Sequence, residues 1–274
     1  MSPTTEMTVR LVCAVSVFTA LALWELTAPR RTLVAGRRPR WPGNIGIFFV
    51  DIAAVRLLVP TAAVGMALIA AERGWGFFHA VALPYWTQFL FGFLALDFII
   101  YLQHRVFHAV PVLWRLHRMH HADVDIDVTT GNRFHPIEIL LSMAIKIAAV
   151  LALGVPALAV LAFEVVLNAT SMFNHSNVAL PKWLEPAARW IVVTPQMHQV
   201  HHSVEREETD SNFGFNLPWW DRLLGTYRAV PKAGEAGVVI GLPEFRDPRE
   251  RTLLSLLTQP FRNSRDGDRD AAAR

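Results

Sequence analysis

Ten of the chain's eleven histidines fall between positions 104 and 202, and they come in a pattern. His117-Arg118-Met119-His120-His121 has the form H-x-x-H-H, and His198-Gln199-Val200-His201-His202 repeats it. His104 and His108 stand just upstream of the first. On a helix, residues three or four apart share a face, with about 5–6 Å between Cβ atoms. His104 then points with His108, His117 with His120 and His121, and His198 with His201 and His202. Three such faces turned toward one centre bring eight imidazoles together, too many for one metal ion and suited to two. A lone histidine on an apolar face is ordinarily a hydrogen-bonded core residue. His79, alone near a membrane surface, is read that way, as non-functional. That reading does not account for a spaced pattern that occurs twice.

Neutral imidazole suits zinc, copper, iron and nickel. The single cysteine, Cys13, lies in an apolar run. Disulfides within the chain, thiolate metal sites and iron–sulfur clusters are therefore excluded, and any metal is held by nitrogen and oxygen. His175, in Asn174-His175-Ser176, and His135, in Asn132-Arg133-Phe134-His135-Pro136, are further candidate ligands. The alternatives are a helix-capping role for His175, and for His135 an orienting role or a ring stacked in the turn before Pro136. Carboxylates normally orient metal-bound histidines. Asp97, seven residues before His104 with Tyr101 between them, is the most suggestive. Asp123, Asp125 and Asp127 follow the middle cluster, and Asp221 follows the last. A nitrogen-rich two-metal site at a membrane face fits oxygen chemistry on a lipid-soluble substrate. Spacing alone does not choose iron over zinc, so a zinc hydrolase stays open. A metal transporter would want ligands at the bilayer midplane, whereas these histidines lie outside the apolar runs.

The elements that must position these residues are membrane helices. The chain is 53% hydrophobic and 18% charged, with a mean hydropathy of +0.30, which is too apolar for an ordinary soluble domain. Spans of roughly 20 residues are needed. They are predicted at Leu11–Leu26, at Ile45–Ala71 (interrupted by Asp51, Arg56 and Pro60) and at Trp86–Leu102. Ala20-Leu21-Ala22 resembles a leader cleavage site, but the basic cluster follows the run instead of preceding it, so the helix is read as retained. A fourth apolar stretch is broken at Gly154-Val155-Pro156, a turn signal. It reads as a hairpin, Ile137–Leu153 and Ala157–Phe173, that enters the membrane and returns to the same side. Lys146 and Glu164 are equidistant from Val155 and so sit at one depth. Isolated charges there are costly, and a structural ion pair between them is predicted in preference to a proton relay.

The expected fold is all-α: a polytopic membrane protein with three spanning helices, a helical hairpin and a histidine-rich helical cap. Its parts are N-terminal membrane helices and a basic loop over 1–85, a catalytic region over 86–230, and a polar extension over 231–274 whose end, Asn263–Arg274, looks disordered. The net charge of +3 is uneven. Arg30, Arg31, Arg37, Arg38 and Arg40 crowd one loop, which fits the positive-inside rule better than nucleic-acid binding. With that loop cytoplasmic, the spans return all three histidine clusters to the cytoplasmic face. The excess of arginine over lysine, with abundant alanine, hints at a bacterial chain and hence the inner membrane. There is no G-x-G-x-x-G after a strand, no phosphate-binding loop and no C-x-x-C-H, so the chain itself is expected to bind no nucleotide, flavin or haem.

Taken in order, Asp97-x-x-x-Tyr101-x-x-His104-Arg105-x-x-His108, His117-x-x-His120-His121, Asn132-Arg133-x-His135-Pro136, Asn174-His175-Ser176 and His198-x-x-His201-His202 resemble the fatty acid hydroxylase/sterol desaturase superfamily. Asn212-Phe213-Gly214 and Leu217-Pro218-Trp219-Trp220-Asp221-Arg222-Leu223-Leu224-Gly225-Thr226-Tyr227 are similar to its closing signature. The resemblance covers about 90–230. It implies an integral membrane enzyme with two iron ions that uses oxygen and two electrons to hydroxylate, or alternatively desaturate, an unactivated C–H position of a lipid. His104, His108, His117, His120, His121, His198, His201 and His202 match the family's boxes, with His175, and the His135 segment is typical of the sterol desaturase-like branch. The resemblance also implies orienting roles for Asp97, Tyr101, Asn174 and Asp221, and a separate electron donor (a ferredoxin, cytochrome or reductase). It suggests Phe98, Phe107, Trp114 and Phe134 as candidate lining of a substrate tunnel. One departure is Ser171, where sphingolipid-type members often carry a further histidine, one turn before His175.

Overall fold

The computed structural model describes residues 2–263. The part of the tail over 264–274, where disorder is expected, lies outside the described residues. Among the described residues the fold is all-helical; the isolated bridges Pro29–Val178 and Ser203–Ile240 only pin loops together.

Helix α1 (Pro3–Thr27) is started by Ser2, whose hydroxyl accepts from the amide of Thr5 at 3.1 Å, the usual way of satisfying an orphan donor at a helix start. Helices α2 (Trp41–Leu58) and α3 (Ala62–Arg73) follow, then a single turn, α4 (Phe77–Ala80). The sequence predicts one interrupted span here. The structure divides it at Val59-Pro60-Thr61, because a proline within a helix lacks the amide and collides with the preceding turn. Helix α5 (Tyr85–Ala109) is two turns longer than the predicted third span, and so carries His104 and His108 within it. It ends at Val110, whose extended backbone is what a residue before proline prefers, and Pro111 opens α6 (Pro111–His121). The hairpin is α7 (Pro136–Leu153) and α8 (Ala157–His175), close to its predicted bounds. Gly154 joins them at φ +69°, and a Cβ there would lie 2.7 Å from the Trp75 carbonyl oxygen, so the turn admits only glycine.

Among the described residues, five segments are long and apolar enough to cross a membrane: Thr4–Thr27, the broken Trp41–Ala80, Tyr85–Ala109, Pro136–Leu153 and Ala157–His175. The chain is an integral membrane protein. Leu96 and Ile100 of α5, Val150 of α7 and Val160 and Phe163 of α8 form the core between the spans. Short helices make up the cap: α9 (Glu185–Ala188), α10 (Pro195–His201), α11 (Arg206–Thr209), α12 (Trp219–Leu223), α13 (Gly234–Gly237) and α14 (Leu253–Thr258). The polar extension is folded as far as described. Leu256 of α14 is buried against Ile47 and Met119, and the Pro260 carbonyl accepts from Arg115 at 2.9 Å.

Within the hairpin, Lys146 Nζ lies 2.6 Å from Glu164 Oε1. The other carboxylate oxygen, Oε2, is 2.6 Å from Arg10 of α1, a partner the hairpin argument did not foresee. Removing one member of a buried ion pair leaves the remainder uncompensated, at a cost of about 3–5 kcal/mol. Glu164→Leu is therefore expected to lower the thermal unfolding temperature in detergent, and Glu164→Leu with Lys146→Met to recover part of the loss.

Candidate metal centre

The histidines converge where α5, α6, α8 and α10 end together. Five of them, His104, His108, His117, His121 and His201, form one buried group, and four, His120, His175, His198 and His202, form a second. Within each group one ligand nitrogen per residue lies within 4.8 Å of all the others. The groups abut: the His121 and His202 ring centroids are 4.5 Å apart, and those of His198 and His201 are 5.0 Å apart. Each H-x-x-H-H segment is thus split. His117 and His121, four residues apart, face the first group while His120 faces the second. His198 and His202 face the second while His201 faces the first. Neighbouring residues on a helix are about 100° apart at 3.6 residues per turn, so each His-His doublet straddles two positions.

The protons on these rings can be placed by their partners. A backbone carbonyl only accepts, so a ring nitrogen bonded to one carries the hydrogen. His120 Nδ1 is 3.0 Å from the Arg133 carbonyl and His175 Nδ1 is 2.7 Å from the Ser171 carbonyl. In the neutral ring each Nε2 is then a bare lone pair, yet the two Nε2 atoms are 3.0 Å apart. His104 Nδ1 donates to the Phe213 carbonyl at 2.7 Å, and its Nε2 faces His117 Nε2 at 3.0 Å. Lone pairs at such distances repel unless a cation lies between them. The Nε2 atoms of His108, His121, His201 and His202 are buried without a hydrogen-bond partner. Burial, and then repulsion from neighbouring imidazoles, holds His120, His121, His198, His201 and His202 well below the ordinary histidine range. Burial alone takes His117 down to about 3. The rings are neutral and aimed at each other, which is the donor set of a divalent metal site.

His135 joins neither group. Its Nδ1 accepts from the Ile137 amide at 3.2 Å, capping α7, and its Nε2 lies 3.3 Å from the Leu257 carbonyl. The expectation that it is a ligand is corrected on this point: Pro136 starts a helix there, and the ring is used to cap it. The four residues expected to orient imidazoles also act elsewhere. Asp97 accepts from Trp220 Nε1 at 2.7 Å, the Tyr101 hydroxyl pairs with Thr226 at 2.8 Å, and Asn174 donates to the Phe215 carbonyl at 3.0 Å. Asp221 accepts from the amides of Phe213 and Gly214, both at 2.8 Å, and so reaches His104 only through the Phe213 carbonyl.

The groups that do hold imidazoles are two carboxylates and a set of carbonyls. Glu138 Oε1 is 2.7 Å from His117 Nδ1, and Asp210 is 3.3 Å from His108 Nδ1. The Ser211 carbonyl holds His201 at 2.7 Å. Glu138 was missed, although an acid in the first turn of an apolar span is itself a signal. Ser171, at the place of the absent histidine, gives its carbonyl to His175 and its hydroxyl to the Gly131 carbonyl at 2.7 Å. Phe134 lies flat on His120 at 4.4 Å, and Trp114 packs on His108 and His121 at 4.9 and 5.3 Å. Phe107 sits edge-on to His117 at 6.1 Å.

Behind the site lies a buried ionic layer. Arg40, fully buried, donates to both oxygens of Asp123 at 2.6 and 2.7 Å and to Asp127 at 2.6 Å. Asp125 instead accepts from the amides of Val34 and Ala35 at 2.7 and 2.8 Å. Burial pushes the Asp123 carboxyl up, but the charges of Arg40 and Arg133 outweigh it and hold the group below the usual carboxylate range.

The model of the family described as "Fatty acid hydroxylase" matches residues 89–226. Ornithine lipid hydroxylase OlsE of Rhizobium tropici is 30% identical over 247 residues, covering 84% of this chain and 70% of that protein. The chain belongs to the fatty acid hydroxylase family. It is an oxidoreductase of this family of membrane lipid hydroxylases. Human alkylglycerol monooxygenase is 32% identical over 159 residues, 57% of this chain and 34% of that protein, so the chain spans about a third of that relative's length. A rice (Oryza sativa subsp. indica) very-long-chain aldehyde decarbonylase, GL1-1, is 32% identical over 160 residues, 54% of this chain and 25% of that protein. No solved structure matches the chain.

Removing a carboxylate that orients a metal-bound histidine typically weakens metal affinity 10–100-fold. Glu138→Ala is expected to lose metal in that range when titrated with a chelator, while Glu138→Gln, which can still accept from His117 Nδ1, retains most of it. Equal retention in Glu138→Ala would remove Glu138 from the site's support.

Proposed function

We propose that the chain is a di-iron lipid hydroxylase that inserts one oxygen atom into an unactivated C–H bond of a polar membrane lipid. The observation that carries this reading is the pair of abutting imidazole groups whose bare Nε2 atoms face one another inside a member of this family. His104, His108, His117, His121 and His201 would hold one ion, and His120, His175, His198 and His202 the other. When bound, the two ions supply oxygen activation and C–H cleavage. The balance is R–H + O2 + 2e⁻ + 2H⁺ → R–OH + H2O. The electrons come from a separate carrier, a ferredoxin, cytochrome or reductase, because no nucleotide- or flavin-binding motif occurs in the chain.

The protein's own share is positioning and exclusion. Each Nδ1 bond fixes a ring so that Nε2 points inward before any ligand arrives. Phe134, Phe213 and Phe215 pack on the rings and keep water from them. Hydroxylation is preferred to desaturation because ornithine lipid hydroxylase and alkylglycerol monooxygenase are both named for adding oxygen to a lipid. Their names also suggest a substrate with a polar head, such as an ornithine lipid. The arginine loop and the histidines lie at one end of the bundle, which we place on the cytoplasmic side of a bacterial inner membrane.

Elemental analysis of protein purified in detergent should find two irons per chain. His120→Ala and His201→Ala should each lose metal and turnover, since each removes a ligand from a different group. With a one-electron donor, oxygen and ornithine lipid, the product should gain 16 mass units. Turnover without oxygen, or full metal content in both variants, would overturn the proposal.

A further inference from the structure

An apolar cavity of about 580 Å³ lies away from the histidines, along the membrane-spanning part of α5. Phe91, Leu94, Ala95 and Phe98 form one wall, at the three- and four-residue spacing of a single helix face. Leu83 and Trp220 stand among the residues opposite. Trp220 belongs to the cap. Its indole nitrogen is tied to Asp97 and its ring lies 4.8 Å from Phe98, so α12 is drawn down against the span. The outer side of α12 is apolar and exposed, with Leu223 at 73% and Trp219 at 42%, as expected of a segment lying at the headgroup level of a bilayer.

The α5 face that carries the groove continues toward the histidines and ends in a cation. Two turns beyond Phe98 is Arg105, half-buried, lying over the Tyr101 ring at 5.9 Å. Its guanidinium interacts with the Tyr101 hydroxyl and with the charge of Asp221, with no closer ion pair among the described residues. Apolar groove, aromatic ring and guanidinium thus follow one another along a single helix face, in the order of tail and head of an anionic amphiphile.

We propose that this groove seats the hydrocarbon tail of the lipid substrate, with an anionic headgroup beside Arg105. This rests on the hydroxylase reading and adds where the substrate lies. Phe98 precedes His104 by six residues, roughly 9 Å of helix rise. The carbons in the groove are therefore remote from the metal centre.

The test uses the full chain in phosphatidylcholine nanodiscs with a 16-carbon fatty acid carrying a mid-chain diazirine. Photolysis and peptide mass spectrometry should place the label on Phe91–Phe98 and around Trp220, with excess palmitate reducing it at least tenfold. Ala95→Trp should reduce groove labelling at least tenfold. Leu94→Trp serves as a second variant, and each is read only with an unfolding temperature like wild type. Arg105→Gln should raise the palmitate needed for half-competition about fivefold. Label spread evenly over the lipid-facing sides of α1 and α7, or unchanged by both tryptophan variants, would overturn the proposal, because it would mark ordinary lipid around the protein. Labelling needs neither metal nor oxygen. Groove labelling without hydroxylation of any lipid would therefore count against the hydroxylase reading and leave the tail seat supported.

Discussion

Nine imidazoles are packed side by side out of water, and that is tolerable only if each ring has both nitrogens accounted for. Direct imidazole–imidazole hydrogen bonds cannot do this. Wherever a carbonyl takes the Nδ1 hydrogen, the inward Nε2 is a lone pair, and in the pair His120–His175 two such lone pairs confront each other at 3.0 Å. Protonating the rings would only replace lone-pair repulsion with charge repulsion in a site that disfavours charge. A divalent cation in each group resolves both problems, and the rest of the molecule is arranged to hold Nδ1 of six of the nine rings, those of His104, His108, His117, His120, His175 and His201. Metal affinity and ring orientation are in this sense one property.

Because most of those outward partners are backbone carbonyls, the site depends on loops being held as rigidly as helices. The Arg133 carbonyl, which holds His120, lies in the loop from Ala122 to His135. That loop is fixed from below by a residue distant in sequence, Arg40, through Asp123, Asp127 and Thr130. Glu25 at the end of α1 accepts from the amides of Val128 and Asn177, both at 2.7 Å, and ties the same loop to the segment just after His175. Asp221 does the corresponding work on the other side, clamping the amides of Phe213 and Gly214 so that the Phe213 carbonyl meets His104. A buried network of this kind is costly to break at any one member. The first two helices are consequently part of the catalytic structure as well as its anchor.

Much of this was legible in the sequence. The spans, the hairpin turn at Gly154 and the Lys146–Glu164 depth match follow from hydropathy and residue rise alone, and the histidine spacing pointed to two metal positions. What was not legible were features set by tertiary contact. The division of each H-x-x-H-H between two groups depends on how α6 and α10 are rotated toward each other. The orienting partners could not be found by type, because a search for carboxylates beside histidines selects Asp97 and Asp221 and overlooks carbonyl oxygens, which every residue has. His135 misled for the opposite reason. Its neighbours look like a ligand motif, but its position immediately before a helix-starting proline makes it a cap.

The arginine loop shows how one sequence feature can carry two physical roles. Read by composition, Arg30 to Arg40 is a topological signal. In the folded chain Arg31 donates to the Val238 carbonyl at 3.0 Å, Arg30 pairs with Glu235 at 3.0 Å, and Arg40 is wholly buried beneath the histidines. The loop can meet these partners only if it emerges at the end of the bundle where the cap forms. A basic loop that stays on one side of the membrane during insertion thus delivers Arg40 to the side where Asp123 and Asp127 will need it. Assembly of the site requires that loop and cap share a side of the membrane, whichever side that is. A chain inserted the other way round would still place loop and cap together, since an even number of crossings separates them.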